Sequence, residues 1–277
     1  MTAPVLRVTS LVKRFGAFTA VDGVGFDLPP GHALGIVGES GSGKTTTARI
    51  LAGLEAPTSG TVELDGRVLD TGSRRDRLRQ ARHLQMIFQD PYGSFDPRLT
   101  IARSIAEPLR LHDPGGDHRA RVAALLEQVG LSERLGGSLP RELSGGQRQR
   151  AAIARALGIA PRVLVLDEAV AALDVSIQAQ ILGLLADLRR DTGIAYVFVS
   201  HDLAVVRHVT DTVLVMRHGR VVERGPTEDL LRDPRHPYTR LLLTSLPGPG
   251  WDPDRVARDR RALDAADATT RTEKTGP

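Results

Sequence analysis

Gly38-Glu39-Ser40-Gly41-Ser42-Gly43-Lys44-Thr45 decides the reading of this 277-residue chain. Its spacing, Gly-x-x-x-x-Gly-Lys-Ser/Thr, is that of a phosphate-binding loop. Before it, His32-Ala33-Leu34-Gly35-Ile36-Val37 predicts a short buried strand. After it, Thr46 to Gly53 predicts a helix. Strand, glycine loop and helix together suit phosphate chemistry. Glycines let backbone N–H groups approach the oxygens, and the helix N-terminus adds partial positive charge. The bland alternative is a glycine-rich turn. Chance produces the full pattern in roughly one of 300 shuffled chains of this composition, and the flanking elements argue further against it. Lysine usage adds weight. Of 37 basic side chains only Lys13, Lys44 and Lys274 are lysines. Position 44 therefore calls for an ammonium, a compact point charge that fits between phosphates where a planar guanidinium is too wide.

Working outward, 41% hydrophobic and 25% charged residues are ordinary for a soluble globular chain. No apolar run reaches the 18 residues that would span a bilayer. Met1 to Ser10 lacks the charged start and apolar core of a secretory signal. The absence of cysteine excludes disulfides, cysteine-ligated zinc and iron–sulfur clusters, and fits a reducing cytosol. The net charge of +4 suits an anionic ligand or a membrane surface and does not by itself argue for nucleic acid. The densest basic run, Arg74 to Arg82, reads as a solvated helix face.

Residues 5–9, 12–15 and 24–28 predict strands of a small antiparallel sheet, joined by a strand at 61–64 that ends in the hairpin signal Asp65-Gly66. Leu84 to Phe88 is a further apolar run. From about residue 90 to 158 helical periods dominate, at Ile101–Leu111, Arg119–Val129 and Gly146–Leu157. The α/β pattern then resumes: strand Val163–Leu166, helix Ile177–Arg190, strand Ile194–Val199, and a hairpin of Thr212–Met216 and Arg220–Glu223. Continuous apolar strands alternating with helices imply a mostly parallel sheet covered on both faces. The expected organisation is 1–89 as a core first part with the antiparallel subdomain and phosphate loop, 90–158 as a helical subdomain, 159–225 as the core second part, and 226–277 as a tail. The tail opens with two short helices and, rich in Gly, Pro, Asp and Arg, frays from Pro247.

Asp167-Glu168 ends the strand Val163–Leu166, where a carboxylate can hold Mg²⁺ with the Thr45 hydroxyl and Glu168 can act as general base toward water. A polar strand end is the bland reading of such a pair; the upstream phosphate loop reverses the odds. Leu143-Ser144-Gly145-Gly146-Gln147 precedes a helical run, with Ser144 as N-cap and two glycines exposing N–H groups. This second phosphate-binding helix start is redundant for one γ-phosphate within one chain. It makes sense if it closes over nucleotide held by another subunit.

In their order, these motifs resemble the ATP-binding cassette (ABC) ATPase family over residues 5–225. The resemblance implies a P-loop NTPase, RecA-like α/β core with an antiparallel β subdomain and an inserted α-helical subdomain. It implies that Phe15 stacks on adenine, and that Gly38, Glu39, Ser40, Gly41, Ser42, Gly43, Lys44, Thr45 and Thr46 hold ATP phosphates. Gln89, in Phe88-Gln89-Asp90-Pro91, matches the glutamine that reaches Mg²⁺ and the attacking water. Thr45, Gln89 and Asp167 would be the metal ligands; Glu168, His201 and Gln89 the catalytic residues. Ser144, Gly145, Gly146 and Gln147 match the family signature, and Asp174, in Ala172-Leu173-Asp174, the loop that crosses the dimer interface. Ala169 and Ala171 depart from the proline and serine usual there, without removing a catalytic atom.

Asp233-Pro234-Arg235-His236-Pro237-Tyr238-Thr239-Arg240-Leu241-Leu242 resembles the C-terminal motif of oligopeptide, dipeptide and nickel importer ATPases, as do Gln89–Arg98 and Leu173–Gln180. The resemblance implies the ATPase subunit of a bacterial peptide importer, peripheral on the cytoplasmic face of the membrane. Its partners would be integral membrane permease subunits, docking near Gln89–Pro97, a second ATPase subunit (identical or related) and, indirectly, a substrate-binding protein, with no nucleic acid. An importer of nickel or another small solute and an exporter are the alternatives. A soluble cassette of DNA repair or translation would need a coiled-coil insertion, zinc modules or a second cassette. Lys44→Ala is expected to weaken ATP binding by about 1.5–3 kcal/mol, the worth of a charge-assisted hydrogen bond, and Lys44→Arg to fail as well. Titration with a fluorescent ATP analogue reads both, and unchanged affinity in Lys44→Arg would overturn the argument from lysine scarcity.

Overall fold

A computed structural model describes residues 3–69, 73–88, 93–245, 252, 254, 256–263 and 265. The chain opens with β1 (Leu6–Phe15) and β2 (Phe18–Leu28), then β3 (Ala33–Val37), α1 (Lys44–Leu51), β4 (Ser59–Leu64) and β5 (Arg67–Val68). It continues through α2 (Arg74–His83), β6 (Leu84–Ile87), α3 (Ile101–His112), α4 (Arg119–Gln128) and, after two short 3₁₀ turns, α5 (Gly145–Leu157). Next come β7 (Val163–Asp167), α6 (Val175–Thr192), β8 (Ala195–Ser200), α7 (Leu203–Val209), β9 (Thr212–Arg217), β10 (Arg220–Pro226), α8 (Thr227–Arg232) and α9 (Pro237–Thr244).

Two sheets result. One is antiparallel, ordered β2-β1-β4-β5; the other is ordered β10-β9-β3-β8-β7-β6. In the second, only β10 runs antiparallel, to β9. Strand periodicity decides which side chains meet which layer. On β7, Val163 and Val165 face the antiparallel sheet and α1, whereas Leu164 and Leu166 face the helices. On β8, Val197 and Val199 share the first cluster; Tyr196 and Phe198 share the second. Burial on both faces is why these strands read as unbroken apolar runs. The second cluster also takes in Ile101 and Ile105 of α3, Leu125 of α4 and Ile153 of α5.

Two expectations are corrected. The strands expected at 5–9 and 12–15 are one strand, β1, which stays in the ladder through register shifts after Val8 and Thr9. Ser10 has φ 47° there, and Gly60 fits against it because a Cβ would lie 2.4 Å from the Ser10 carbonyl oxygen. A bulge, not a loop, absorbs the irregularity. The second correction concerns the end of the chain. Residues 254 and 256–263 are helical where fraying was expected, and Leu263 packs against the core. Asp252 accepts from the Asp254 N–H at 2.9 Å, and an Arg/Ala-rich run then favours helix.

Gly35 of β3 lies under α7. A Cβ there would sit 2.6 Å from Val206 Cγ1 and 3.3 Å from the Thr210 side chain. Gly35→Ala is therefore expected to destabilise the fold by about 1–3 kcal/mol through overpacking, read as a lower denaturant midpoint at unchanged slope.

Candidate active site

Three parallel strands deliver the site. Val37 at the end of β3 pairs with Ser200 at the end of β8, and Val199 pairs with Asp167 at the end of β7. The phosphate loop, Asp167-Glu168 and Ser200-His201 thus leave the same C-terminal edge of adjacent strands, where ligands bind in open α/β sheets. β6 ends beside β7 at Ile87↔Leu166, so Phe88 leaves this edge too. Gln89, the next residue, lies outside the described residues.

The loop's glycines have separate reasons. A Cβ on Gly38 would lie 2.2 Å from the Met216 carbonyl oxygen, and one on Gly43 2.3 Å from that of Ala20. Gly41, at φ 78°, has nothing within 4 Å of its Cβ position and only its backbone angle restricts it. The β9–β10 turn frames the loop as well, since Gly219 N–H donates to the Ser42 carbonyl at 3.0 Å. The helix starts earlier than expected, at Lys44, with Thr45 and Thr46 in its first turn.

Lys44 is 4% exposed. Its Nζ donates to the carbonyls of Gly38 (2.7 Å) and Glu39 (2.8 Å), which uses two of an ammonium's three protons. Burial lowers its pKa, and the nearby Glu168, Asp167 and Glu39 carboxylates oppose that shift. Thr45 Oγ1 donates to Asp167 Oδ1 at 3.2 Å. Asp167 is buried, and burial raises its pKa; Glu168 adds to this, while the Thr45 hydroxyl, Arg49 and Lys44 offset it. Glu168 Oε1 lies 3.3 Å from His201 Nδ1. Glu168 itself has φ 48°, a left-handed backbone that is strained in a non-glycine residue, and its N–H donates to the Val199 carbonyl at 2.9 Å.

A hydroxyl and a partly desolvated carboxylate 3.2 Å apart are hard oxygen donors that fit Mg²⁺. Among the described residues no group of three or more His, Asp or Glu side chains forms a metal cage.

Other expected residues stand apart. Ser144 caps α5 in a reciprocal capping box: its Oγ accepts from Gln147 N–H at 3.3 Å, and Gln147 Oε1 accepts from Ser144 N–H at 2.9 Å. Among the described residues no hydrogen bond or ion pair joins Ser144, Gly145, Gly146 or Gln147 to the phosphate loop of the same chain. Gly146 has a packing reason too, since a Cβ would lie 2.6 Å from Ile177 Cγ2. Asp174 occupies the N-cap of α6 without a side-chain capping bond, in an exposed stretch. Phe15 is half exposed, with the Lys13 ammonium 4.9 Å from its ring centroid. Its cross-strand partner Phe18 is 62% exposed, and nothing local in the sequence marks it. Tyr238, which the sequence does not mark as near the phosphate loop, reaches it in the fold. Its hydroxyl accepts from the Glu39 N–H at 2.9 Å across 199 residues of sequence.

The chain is similar to known proteins of one family. The family described as ABC transporter matches residues 21–171. Residues 222–270 match the oligopeptide/dipeptide transporter C-terminal region. The glutathione import ATP-binding protein GsiA of Escherichia coli K12 is 51% identical over 257 residues, covering 88% of this chain and 41% of that protein. GsiA of Salmonella typhi is 48% identical over 286 residues, covering 99% and 45%. The chain thus spans less than half the length of these relatives. Among solved structures, cbiO1 of Clostridium perfringens, part of the ABC transporter complex cbiONQ, superposes with TM-score 0.75 at 28% identity, covering 83% of this chain and 92% of that one. The ATP-binding cassette MJ0796, a dimer bound to ADP and Pi, does so with TM-score 0.73 at 28% identity, covering 80% and 98%. The family match over residues 21–171 and the relatives at 48–51% identity agree, and the chain belongs to the ABC transporter family.

Proposed function

We propose that the chain is the ATP-hydrolysing subunit of a peptide-type ABC importer. The observation that carries this is the convergence of Lys44, the Thr45–Asp167 pair and the Glu168–His201 pair at one edge of three adjacent parallel strands. The match of residues 222–270 to an oligopeptide/dipeptide transporter region supports the transport class, as do relatives named for glutathione import. Small peptides are the proposed cargo.

The chemistry follows from the side chains. The Lys44 ammonium and the loop N–H groups bind the phosphates and orient the terminal one. Mg²⁺, held by Thr45, Asp167 and, by resemblance, Gln89, would neutralise charge on the phosphate oxygens. The Glu168 carboxylate takes the proton of the attacking water, and His201 holds that carboxylate and faces the γ-phosphate. Phe15 provides an aromatic face for adenine.

A second subunit, a copy or a relative, completes the site by presenting Ser144, Gly145, Gly146 and Gln147. Three observations support this: among the described residues no hydrogen bond or ion pair joins the signature to its own loop, the stretch Ala171–Ser176 is exposed apart from Leu173, with Val175 82% exposed, and a dimeric cassette is among the structural neighbours. Among the described residues no helix is long and apolar enough to cross a membrane. Separate permease subunits would form the pathway, with this chain on the cytoplasmic face and a substrate-binding protein supplying cargo.

Glu168→Gln keeps shape and loses the base. ATP binding should persist while turnover in the full complex falls by ~10²–10⁴; wild-type turnover would sink the assignment. The trans role is checked in that background by size-exclusion chromatography with ATP, with the partner subunit present if the pair is mixed. Glu168→Gln should elute as a dimer and Ser144→Arg/Glu168→Gln as a monomer. Equal dimerisation would leave Leu143–Gln147 as a helix cap, worth about 1 kcal/mol.

A further inference from the structure

Among the described residues, the C-terminal region reaches back to the phosphate loop at Glu39, through Tyr238 and Arg260. Glu223 of β10 accepts the N–H groups of Arg235 (2.8 Å) and His236 (3.1 Å), which fixes where α9 begins. His236 then caps the helix, its Nδ1 accepting from Tyr238 N–H at 3.1 Å, with Pro237 at the first helical position. This delivers Tyr238 into the core at 1% exposure, its ring 4.9 Å from the Arg217 guanidinium. A phenylalanine would satisfy all of that packing. The hydroxyl does one further thing: it accepts from the Glu39 N–H. Burial pushes the Tyr238 pKa up to about 12, so the hydroxyl stays neutral.

The Glu39 N–H belongs to the same peptide unit as the Gly38 carbonyl, which accepts from Lys44 Nζ. A trans peptide is planar, with its N–H and C=O pointing in opposite directions. Tyr238 and Lys44 therefore grip one rigid plate from its two edges. Glu39 is held elsewhere too, by its carbonyl on Lys44 and by its carboxylate on Arg260 of the C-terminal helix. A plate gripped this way transmits tilt. If the N–H edge swings, the carbonyl edge moves, and with it the ammonium.

We infer that Tyr238 is a positioning residue for the phosphate loop, its hydroxyl setting the Gly38–Glu39 peptide and so the Lys44 ammonium, which makes nucleotide affinity depend on how the C-terminal region is docked. The inference rests on reading Lys44 as the phosphate ligand. The test is equilibrium titration of the full chain with a fluorescent ATP analogue and Mg²⁺, for wild type, Tyr238→Phe, Lys44→Ala and the double variant. Fitting the number of sites separately from the dissociation constant isolates positioning from folding, since partial unfolding removes sites without weakening those that remain. Tyr238→Phe should weaken binding about threefold to tenfold, the loss of one hydrogen bond, with the site number unchanged. In the Lys44→Ala background it should have no further effect, as expected of two residues acting through one element. A wild-type dissociation constant in Tyr238→Phe, a loss of sites alone, or an equal effect in both backgrounds overturns the inference while Lys44→Ala still weakens binding. Unchanged affinity in Lys44→Ala overturns the reading of the loop and this inference with it.

Discussion

A lysine ammonium taken out of water must find acceptors or give up its proton, and much of this fold is arranged around that requirement at Lys44. Two loop carbonyls accept its hydrogen bonds, and three carboxylates, those of Glu168, Asp167 and Glu39, oppose the burial that lowers its pKa. Each partner arrives on a different element. The carbonyls come from the loop after β3, the carboxylates at 167 and 168 from the end of β7, and the loop is kept in place by the β9–β10 turn and by Tyr238. The parallel order of β3, β8 and β7 is what puts these elements within reach of one cation.

The same crowding works against Asp167. Burial and the neighbouring Glu168 raise its pKa, so the ionised form is disfavoured in the folded chain relative to the unfolded one. Its contribution to stability is therefore full below the ordinary carboxylate range and is lost as pH rises through the elevated folded value. Strain at Glu168, whose backbone sits at φ 48°, adds to the unfavourable side. This crowding is thus maintained at some cost to the resting fold, which buried apolar residues on both faces of β7 and β8 offset.

What the sequence made legible was whatever depends on neighbours along the chain. The phosphate loop, the carboxylates at the end of Val163–Leu166 and the capped start of α5 each announce themselves within ten residues, because backbone geometry and residue type fix them locally. The pairing of β9 with β10 was legible for the same reason. The bulge at Ser10 was not: a left-handed serine inside a strand looks like a break until Gly60 is seen packed against it. Nor was the role of Tyr238. Its motif was noticed as a family mark, but its partner lies 199 residues away, and no local pattern encodes a contact across that distance. The helix at 256–263 hid behind composition, since arginine and aspartate suggest solvent more readily than the docking seen at Leu263.

The contact between α5 and α6 has a mechanical meaning. Gly146 leaves no room for a side chain against Ile177, Gly145 lies close to Leu173, and Arg150 of α5 donates to Gln180 of α6 at 3.4 Å. With the gap closed to backbone-on-side-chain contact, neither helix can slide past the other without a steric clash. Any displacement of the α5 start is therefore shared with Asp174 and Val175 at the start of α6. Two segments that the sequence separates by some thirty residues are thus joined as one blade rather than two fingers.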